Sequence, residues 1–201
     1  VQLPTEGVLY FFYDAVTSAW GFDPEDRGTS AVVYMPEANP TNLVECPFPD
    51  DLPDEARFKR MWVKPTPELC YPDPEGLPVL APDMPDHVTT AYYDLCMNED
   101  IAAPANSNRL LGYPGIIQTE MRLGCALVTN GVYCGRPDGY EGPAAMTAAQ
   151  EAPEWTLLLQ VVSDDRTGMM WGDCGTLYFW IRRDDLELAD FSRHWTILQC
   201  Y

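Results

Sequence analysis

The sequence is poor in lysine and histidine, and it has no long apolar run. Two lysines, two histidines and ten arginines occur among 201 residues, and 31 acidic residues give a net charge of −19. Such a field disfavours non-specific binding to nucleic acid and to anionic membranes. No stretch approaches the roughly 20 apolar residues of a membrane-spanning helix, and no signal-peptide pattern opens the chain. We therefore expect a cytoplasmic protein that binds neither nucleic acid nor a membrane.

Motifs of catalysis and metal binding are also scarce. The sequence has no phosphate-binding glycine loop and no G-x-S-x-G element. Its cysteines and histidines lack zinc spacing, and the acidic loop at 164–173 matches no Ca²⁺ loop. His194 could pair with Cys174 or Cys200, but no third residue is spaced to orient such a pair. The sequence thus predicts no catalytic residue, no metal and no cofactor.

The seven cysteines are an odd number, and no two of them form a C-x-x-C pair. They are Cys46, Cys70, Cys96, Cys125, Cys134, Cys174 and Cys200. Disulfides are rare in reducing compartments, and a chain of this length can bury a core without them. We expect seven free thiols.

Length and composition favour one globular domain, residues 1–201. Apolar residues make up 46% of the chain and charged residues 21%, which is ordinary for a globular protein. The acidity is uneven, because residues 1–101 hold 19 acids and 5 bases while residues 102–201 hold 12 and 7. The excess gives solubility in one interpretation and attracts a basic protein partner in the other.

Apolar runs predict most of the strands. Residues 8–13 and 31–35 read as neighbouring strands, and residues 155–163, 175–181 and 195–200 as three more. The runs at 155–163 and 175–181 are apolar almost throughout, so both need cover on two faces. We expect these two to pair antiparallel in the centre of a sheet.

Helical periodicity appears at three places. Residues 86–96, 119–128 and 144–150 read as helices, and residues 184–186 begin a short helix or turn. Together with the strands, these helices predict a single mixed α+β domain with a central, largely antiparallel sheet and a few short helices.

Proline is concentrated in one stretch of the chain. Residues 36–85 contain 12 of the 19 prolines, and proline disfavours both helix interiors and central strands. We call residues 36–85 the proline-rich excursion and expect loops there, with one strand at 57–64. The excursion either covers the sheet or faces a partner.

Two segments share a G-x-L-Y-F-aromatic pattern, residues 7–12 (GVLYFF) and 175–180 (GTLYFW). Either chance or an internal duplication explains the match. In a duplication, the first unit would lack an opening strand, and the strand at 8–13 would lie at a sheet edge. We then expect either a cover from the proline-rich excursion or self-association through that edge.

Two sets of residues are candidates for binding. For a basic partner they are the aromatic anchors Trp20 and Trp62 and the acidic residues Asp50, Asp51, Asp54 and Glu55. For a small-ligand pocket they are Tyr113, Gln118, Gln160, Trp171 and Asp173. Exposed aromatic residues are frequent interface anchors, and a buried glutamine needs polar partners.

Several ordered motifs resemble the YwqG-like family, a bacterial family with a domain of unknown function. They are residues 7–13 (GVLYFFY), 20–24 (WGFDP), 110–114 (LLGYP) with Gln118, 155–164 (WTLLLQVVSD) and 171–179 (WGDCGTLYF). The resemblance implies a mixed α+β domain with two related halves and no known activity. From the resemblance we expect the protein to lack the family's usual N-terminal segment, and Asn108 stands where many members have histidine.

These observations favour a non-catalytic acidic protein-binding domain. The genes of some YwqG-like proteins look like neighbours of secreted-toxin genes. This association suggests an immunity-type protein that masks a basic toxin. The alternative is a small-ligand-binding domain or a cryptic hydrolase with its pocket near Tyr113, Gln118 and Asp173.

Overall fold

Two antiparallel sheets and five short α-helices form the fold of residues 2–99 and 106–201, which a computed structural model describes. The strands are β1 (Val8–Tyr13), β2 (Ser30–Met35), β3 (Arg109–Leu110), β4 (Trp155–Val162), β5 (Thr176–Arg182) and β6 (Trp195–Gln199). The helices are α1 (Leu77–Leu80), α2 (Asp86–Glu99), α3 (Arg122–Thr129), α4 (Gly142–Glu151) and α5 (Arg183–Glu187). The predicted mixed α+β class is confirmed.

The larger sheet has the strand order β3-β4-β5-β6. Strands β4 and β5 pair antiparallel from Trp155↔Arg182 to Val162↔Thr176, so the predicted central pair is confirmed. β1 and β2 form a separate two-stranded antiparallel sheet. The predicted central sheet is therefore divided into a sheet of four strands and a smaller one that packs on it.

The four-stranded sheet is covered on both faces. On one face, Trp155, Leu157 and Trp180 pack in a buried cluster with apolar residues of α3 and α4. On the other face, Leu177 and Phe179 pack with residues of β1 and β2. Successive side chains of a strand point to opposite faces, which is why residues 177–181 of β5 are aliphatic or aromatic at every position.

Helix α3 begins three residues later than the sequence predicts. Gln199 in β6 accepts hydrogen bonds through Oε1 from the backbone N–H groups of Ile117 and Gln118, at 3.2 and 3.1 Å. Its Nε2 donates to the Thr119 carbonyl at 2.8 Å. These backbone groups are thereby held by the sheet, so the helix starts only at Arg122.

The strand expected at 57–64 is wrong. Residues 57–64 pair with no strand of the described residues, and the Lys59 N–H donates to the Thr167 carbonyl at 2.8 Å. A strand needs a ladder of such bonds, and the prolines at 65 and 67 remove two donors immediately downstream.

Strand β1 pairs with β2 alone among the strands of the described residues. Residues 11–13 of β1 line a groove to which Leu52, Ala56 and Phe58 of the proline-rich excursion also contribute. The excursion therefore lies beside the C-terminal half of β1.

All seven cysteines lie in the described part of the chain, and each is unpaired. Burial raises the pKa of the Cys125 thiol well above its usual value, with a smaller contribution from Glu120.

Within residues 2–99 and 106–201, no helix has both the length and the apolar character that crossing a membrane requires.

Candidate functional site

A contiguous group of exposed apolar side chains lies in one stretch of the proline-rich excursion. Residues 59–69, which we call the exposed span, are all exposed. Trp62 is 87% exposed, Leu69 79% and Val63 78%, and Met61 is about half exposed. Single exposed apolar residues are ordinary, but a contiguous group of them marks an interaction surface.

The start of the exposed span is fixed to the body of the protein. Phe58 packs edge-on against Trp171, with 5.4 Å between ring centroids. The next residue, Lys59, makes the backbone bond to Thr167 described above. Because Trp171 is itself buried, the span leaves the core from a rigid position.

The end of the exposed span is fixed as well. Glu68 Oε1 lies 3.2 Å from a guanidinium nitrogen of the buried Arg109. One residue beyond the span, the sulfur of Cys70 accepts a hydrogen bond from the Tyr113 N–H at 3.4 Å. The span is therefore anchored at both ends rather than hanging from one.

Between these anchors the backbone of the span is open. Within the part of the chain that the structure describes, no backbone group of residues 60–67 hydrogen-bonds to another protein group. Pro65 and Pro67 have no N–H. The remaining N–H and C=O groups are free to bond water or an extended segment of a partner.

The four acidic candidates lie on a neighbouring loop and are all exposed. Arg57 organises that loop, because its guanidinium donates to the carbonyls of Leu52, Pro49 and Asp50 at 2.8, 3.2 and 3.3 Å. Asp54 lies 3.7 Å from the same guanidinium. Asp50, Asp51 and Glu55 have no ion pair with the described residues, so their charge faces solvent.

Trp20, the second predicted anchor, lies elsewhere. It is half exposed on the loop before β2, and its carbonyl accepts a hydrogen bond from the Leu198 N–H at 3.0 Å. The structure therefore places Trp62 and the acidic residues on one excursion and Trp20 beside the edge of β6.

The residues proposed for a small-ligand pocket are separated. Gln160 is buried, and its side chain accepts from the Gly115 N–H at 3.0 Å and donates to the Ser107 carbonyl at 2.8 Å. Gln118 is exposed, and only its backbone N–H takes part in this network, through Gln199. The side chains of Gln160 in β4 and Gln199 in β6 thus hold the loop at residues 115–119 against the sheet.

The other pocket candidates lie at different places. Trp171 is buried on the face that packs against β1 and β2. Asp173 is exposed, and its carbonyl accepts from the Tyr201 N–H at 3.2 Å. Tyr113 is half-buried and contacts Cys70. Of the five, only Trp171 lines either of the two clefts beside the smaller sheet.

One of these clefts, about 450 Å³ in volume, lies beside β2. It is lined by Asp26–Val33, Ser192 and His194–Thr196. Ser30 Oγ lies 3.0 Å from His194 Nε2, and the Phe191 carbonyl lies 3.0 Å from His194 Nδ1. Both ring nitrogens are therefore occupied, and the cysteine partner considered from the sequence is wrong. Ser30 was missed because 164 residues separate it from His194.

Burial lowers the pKa of His194, and the nearby positive charge of Arg27 lowers it further. His194 is only 8% exposed, so its imidazole is neutral near pH 7. Among the described residues, no group of three or more histidine, cysteine, aspartate or glutamate side chains is arranged to hold a metal ion.

The two stacked sheets and their flanking helices place the protein in the mixed α+β class. Within that class, residues 1–200 match the family described as "Domain of unknown function (DUF1963)". The match covers almost the whole chain, so the protein belongs to this family. A comparison with curated proteins finds none that matches the chain.

Proposed function

We propose that the protein is an acidic protein-binding domain that docks a basic partner on the exposed span, with no reaction at that surface. The observation that carries the proposal is the presentation of Met61, Trp62 and Val63 in solvent on a segment anchored at both ends. Fixing both ends restricts the conformations that the span can adopt, which lowers the entropy cost of binding.

The apolar side chains would supply most of the affinity. Burying apolar surface contributes about 25 cal/mol per Å², and aromatic residues near the centre of an interface dominate binding. Trp62 is the largest side chain of the span. The guanidinium of Arg60 lies over its ring, with the guanidinium carbon 5.8 Å from the ring centroid. Trp62 is therefore the expected anchor.

The acidic loop would raise the rate at which a basic partner associates. Residues 36–85 hold ten acidic and four basic residues, and two of the four bases, Arg57 and Arg60, already pair with Asp54 and Glu45. Opposite charge on a partner raises the association rate, and salt screens this effect over roughly 8 Å under physiological conditions.

The finer assignment is also a proposal. The resemblance to YwqG-like proteins favours a bacterial origin and an immunity-type role in which the partner is a basic toxin. Seven unpaired thiols support a cytoplasmic location. Self-association through β1 stays a prediction, and it rests on β1 having a strand partner on one side only among the described residues.

Capture from cells that naturally express the protein tests the first part. We expect wild-type protein to retain a basic protein that Trp62→Ala loses. Met146→Ala is the matched control, because Met146 is a large exposed side chain on α4, outside the span. If wild type and Trp62→Ala capture the same proteins in the same amounts, the span is not the docking surface.

Association kinetics with that captured partner test the role of charge. Raising the salt concentration should slow association several-fold and change dissociation little. Reversing Asp50, Asp51, Asp54 and Glu55 to lysine should have the same effect at fixed salt. An association rate that is indifferent to both changes would leave the acidity as a solubility feature and remove the basic partner from the proposal.

A further inference from the structure

The cleft beside β2 combines a hydroxyl, an imidazole and a carbonyl in one hydrogen-bonded row. Ser30, His194 and the Phe191 carbonyl are joined by two contacts of 3.0 Å. We propose that this cleft is an acyl-transfer site for a small ester, with Ser30 as the nucleophile and His194 as its general base. The proposal is independent of the exposed span.

The direction of the two hydrogen bonds follows from the acceptor at one end. A carbonyl oxygen only accepts, so Nδ1 of His194 must carry a proton and donate it to Phe191. In a neutral ring, Nε2 then has a lone pair, and the Ser30 hydroxyl donates to it. This is the tautomer that a general base needs in order to remove the proton of a nucleophilic serine.

The carbonyl of Phe191 takes the orienting place that a carboxylate has in many hydrolases. It fixes the ring but carries no full negative charge to stabilise the imidazolium that forms. Burial and Arg27 hold His194 in its neutral form, so the base is available at neutral pH but weak. We therefore expect slow turnover compared with a site that has a carboxylate.

Asp26, Arg27 and Thr196 are among the polar residues that line the cleft besides the dyad. Arg27 lines the cleft, is exposed, and has no ion pair with the described residues, while its guanidinium carbon lies 5.2 Å from the Trp195 ring centroid. The hydroxyl oxygen of Thr196 is buried without a hydrogen-bond partner in the described structure, although the residue lines the cleft. Asp26 is engaged, because its carboxylate accepts from the Gly21 N–H at 2.8 Å.

This arrangement selects the substrate class. A cleft of about 450 Å³ lies in the size range of small-molecule sites. Arg27 is the positive charge available to the oxyanion that develops on an attacked carbonyl. A small acyl ester fits both conditions.

The reaction balances with water as the only co-reactant. Oγ of Ser30 attacks the ester carbonyl carbon, and its proton moves to Nε2 of His194. The ester C–O bond then breaks, and the departing oxygen takes that proton and leaves as an alcohol. Water attacks the acyl group on Ser30 through the same base, which releases the carboxylic acid and restores the serine.

A fluorophosphonate probe and p-nitrophenyl acetate test the proposal on the full chain. We expect one phosphonyl group per molecule, mapped by peptide mass spectrometry to Ser30, and release of p-nitrophenolate by the same preparation. Ser30→Ala should abolish the adduct. His194→Gln should slow its formation by about 100-fold, the lower limit for loss of a general base.

Ser18→Ala is the matched control. Ser18 lies outside the cleft, and its hydroxyl donates to the Ala15 carbonyl at 2.8 Å rather than to a histidine, so labelling should continue at the wild-type rate. Circular dichroism verifies that each variant is folded before labelling. Folded wild-type protein without an adduct on Ser30, or labelling of Ser30→Ala at the wild-type rate, would overturn the assignment.

Discussion

Strands β1 and β5 carry the same six-residue pattern but lie in very different surroundings. A glycine comes directly before each strand and lies close to the last residue of a paired strand. Gly7 lies beside the end of β2, and Gly175 lies beside the end of β6. A Cβ on Gly7 would lie 2.7 Å from the Met35 carbonyl oxygen, and one on Gly175 would lie 2.2 Å from the Gln199 carbonyl oxygen. The two units therefore share a local geometry, in which only glycine allows the partner strand to approach.

Burial is what distinguishes the two strands. The pattern residues of β5 are all buried, because strands β4 and β6 flank it and layers cover both faces. The corresponding residues of β1 are half-buried, and Phe12 is 55% exposed. The same apolar residue types should therefore contribute differently to the free energy of unfolding, because β5 is covered on both faces and β1 is not.

Truncating the last aromatic residue of each pattern should separate the two strands most strongly. Trp180 is fully buried and lies under the Arg122 guanidinium, whose carbon is 5.1 Å from the ring centroid. Trp180→Ala should lower the free energy of unfolding by about 3–5 kcal/mol. Phe12→Ala is the matched change in β1 and should cost less than about 1 kcal/mol. Urea denaturation measures both, and equal losses would contradict the comparison.

Removing the tyrosine hydroxyl of each pattern should give a smaller difference. The Tyr178 hydroxyl donates to the buried Gly115 carbonyl at 2.6 Å, so Tyr178→Phe leaves that carbonyl without its partner. We expect a loss of about 1–3 kcal/mol. The Tyr10 hydroxyl has no hydrogen bond to the described residues, and Tyr10→Phe should be nearly neutral. Urea denaturation measures both changes. An unchanged free energy of unfolding in Tyr178→Phe would show that the hydrogen bond to Gly115 contributes no stability.

The pH dependence of stability should report on the junction between the two sheets. His194 bonds Ser30 of β2 and lies 6.3 Å, centroid to centroid, from the ring of Phe179 in β5. Its pKa is lowered by burial first and by Arg27, so the unfolded chain binds this proton more readily than the folded protein. Stability should therefore fall as the pH drops below about 6.5, by at most about 1.4 kcal/mol per pH unit.

The comparison with His194→Gln isolates that contribution. The variant lacks the titrating ring, so its stability should change less between pH 7 and pH 5.5. Thermal unfolding across that range measures the two slopes. Parallel slopes for wild type and variant would mean that His194 does not link folding to proton uptake in this window.

Three strands of the larger sheet, β4, β5 and β6, could be predicted from the sequence because their information is local, whereas the two-residue strand β3 could not. Residues 155–163 and 175–181 are apolar almost throughout, and such runs need two covered faces. The start of α3 could not be predicted in the same way. It depends on Gln199, about 80 residues further along the chain, and tertiary contacts of this kind carry no local signal.

The candidate sites show the same division. The exposed acidic loop and Trp62 could be singled out, because runs of charge and proline indicate a solvent-facing excursion. The strand at 57–64 was wrong, since Met61, Trp62 and Val63 are exposed and residues 57–64 pair with no strand of the described residues. Ser30 carried no signal at all, because a serine at the start of a strand is ordinary until the fold brings His194 beside it.

The smallest expected effect is the coupling between the two patterns themselves. Phe11 and Phe179 occupy the same place in the two segments, and their rings meet edge-on with centroids 5.2 Å apart. A double-mutant cycle of Phe11→Leu and Phe179→Leu should give a coupling energy of about 0.5–1.5 kcal/mol, as expected for an aromatic pair in contact. Phe11→Leu with Trp180→Phe is the control, because Trp180 points to the helical face of β5, and those two changes should be additive. Additivity of the Phe11 and Phe179 changes would show that the smaller sheet rests on the larger one through area alone, without a specific contact between the matching strands.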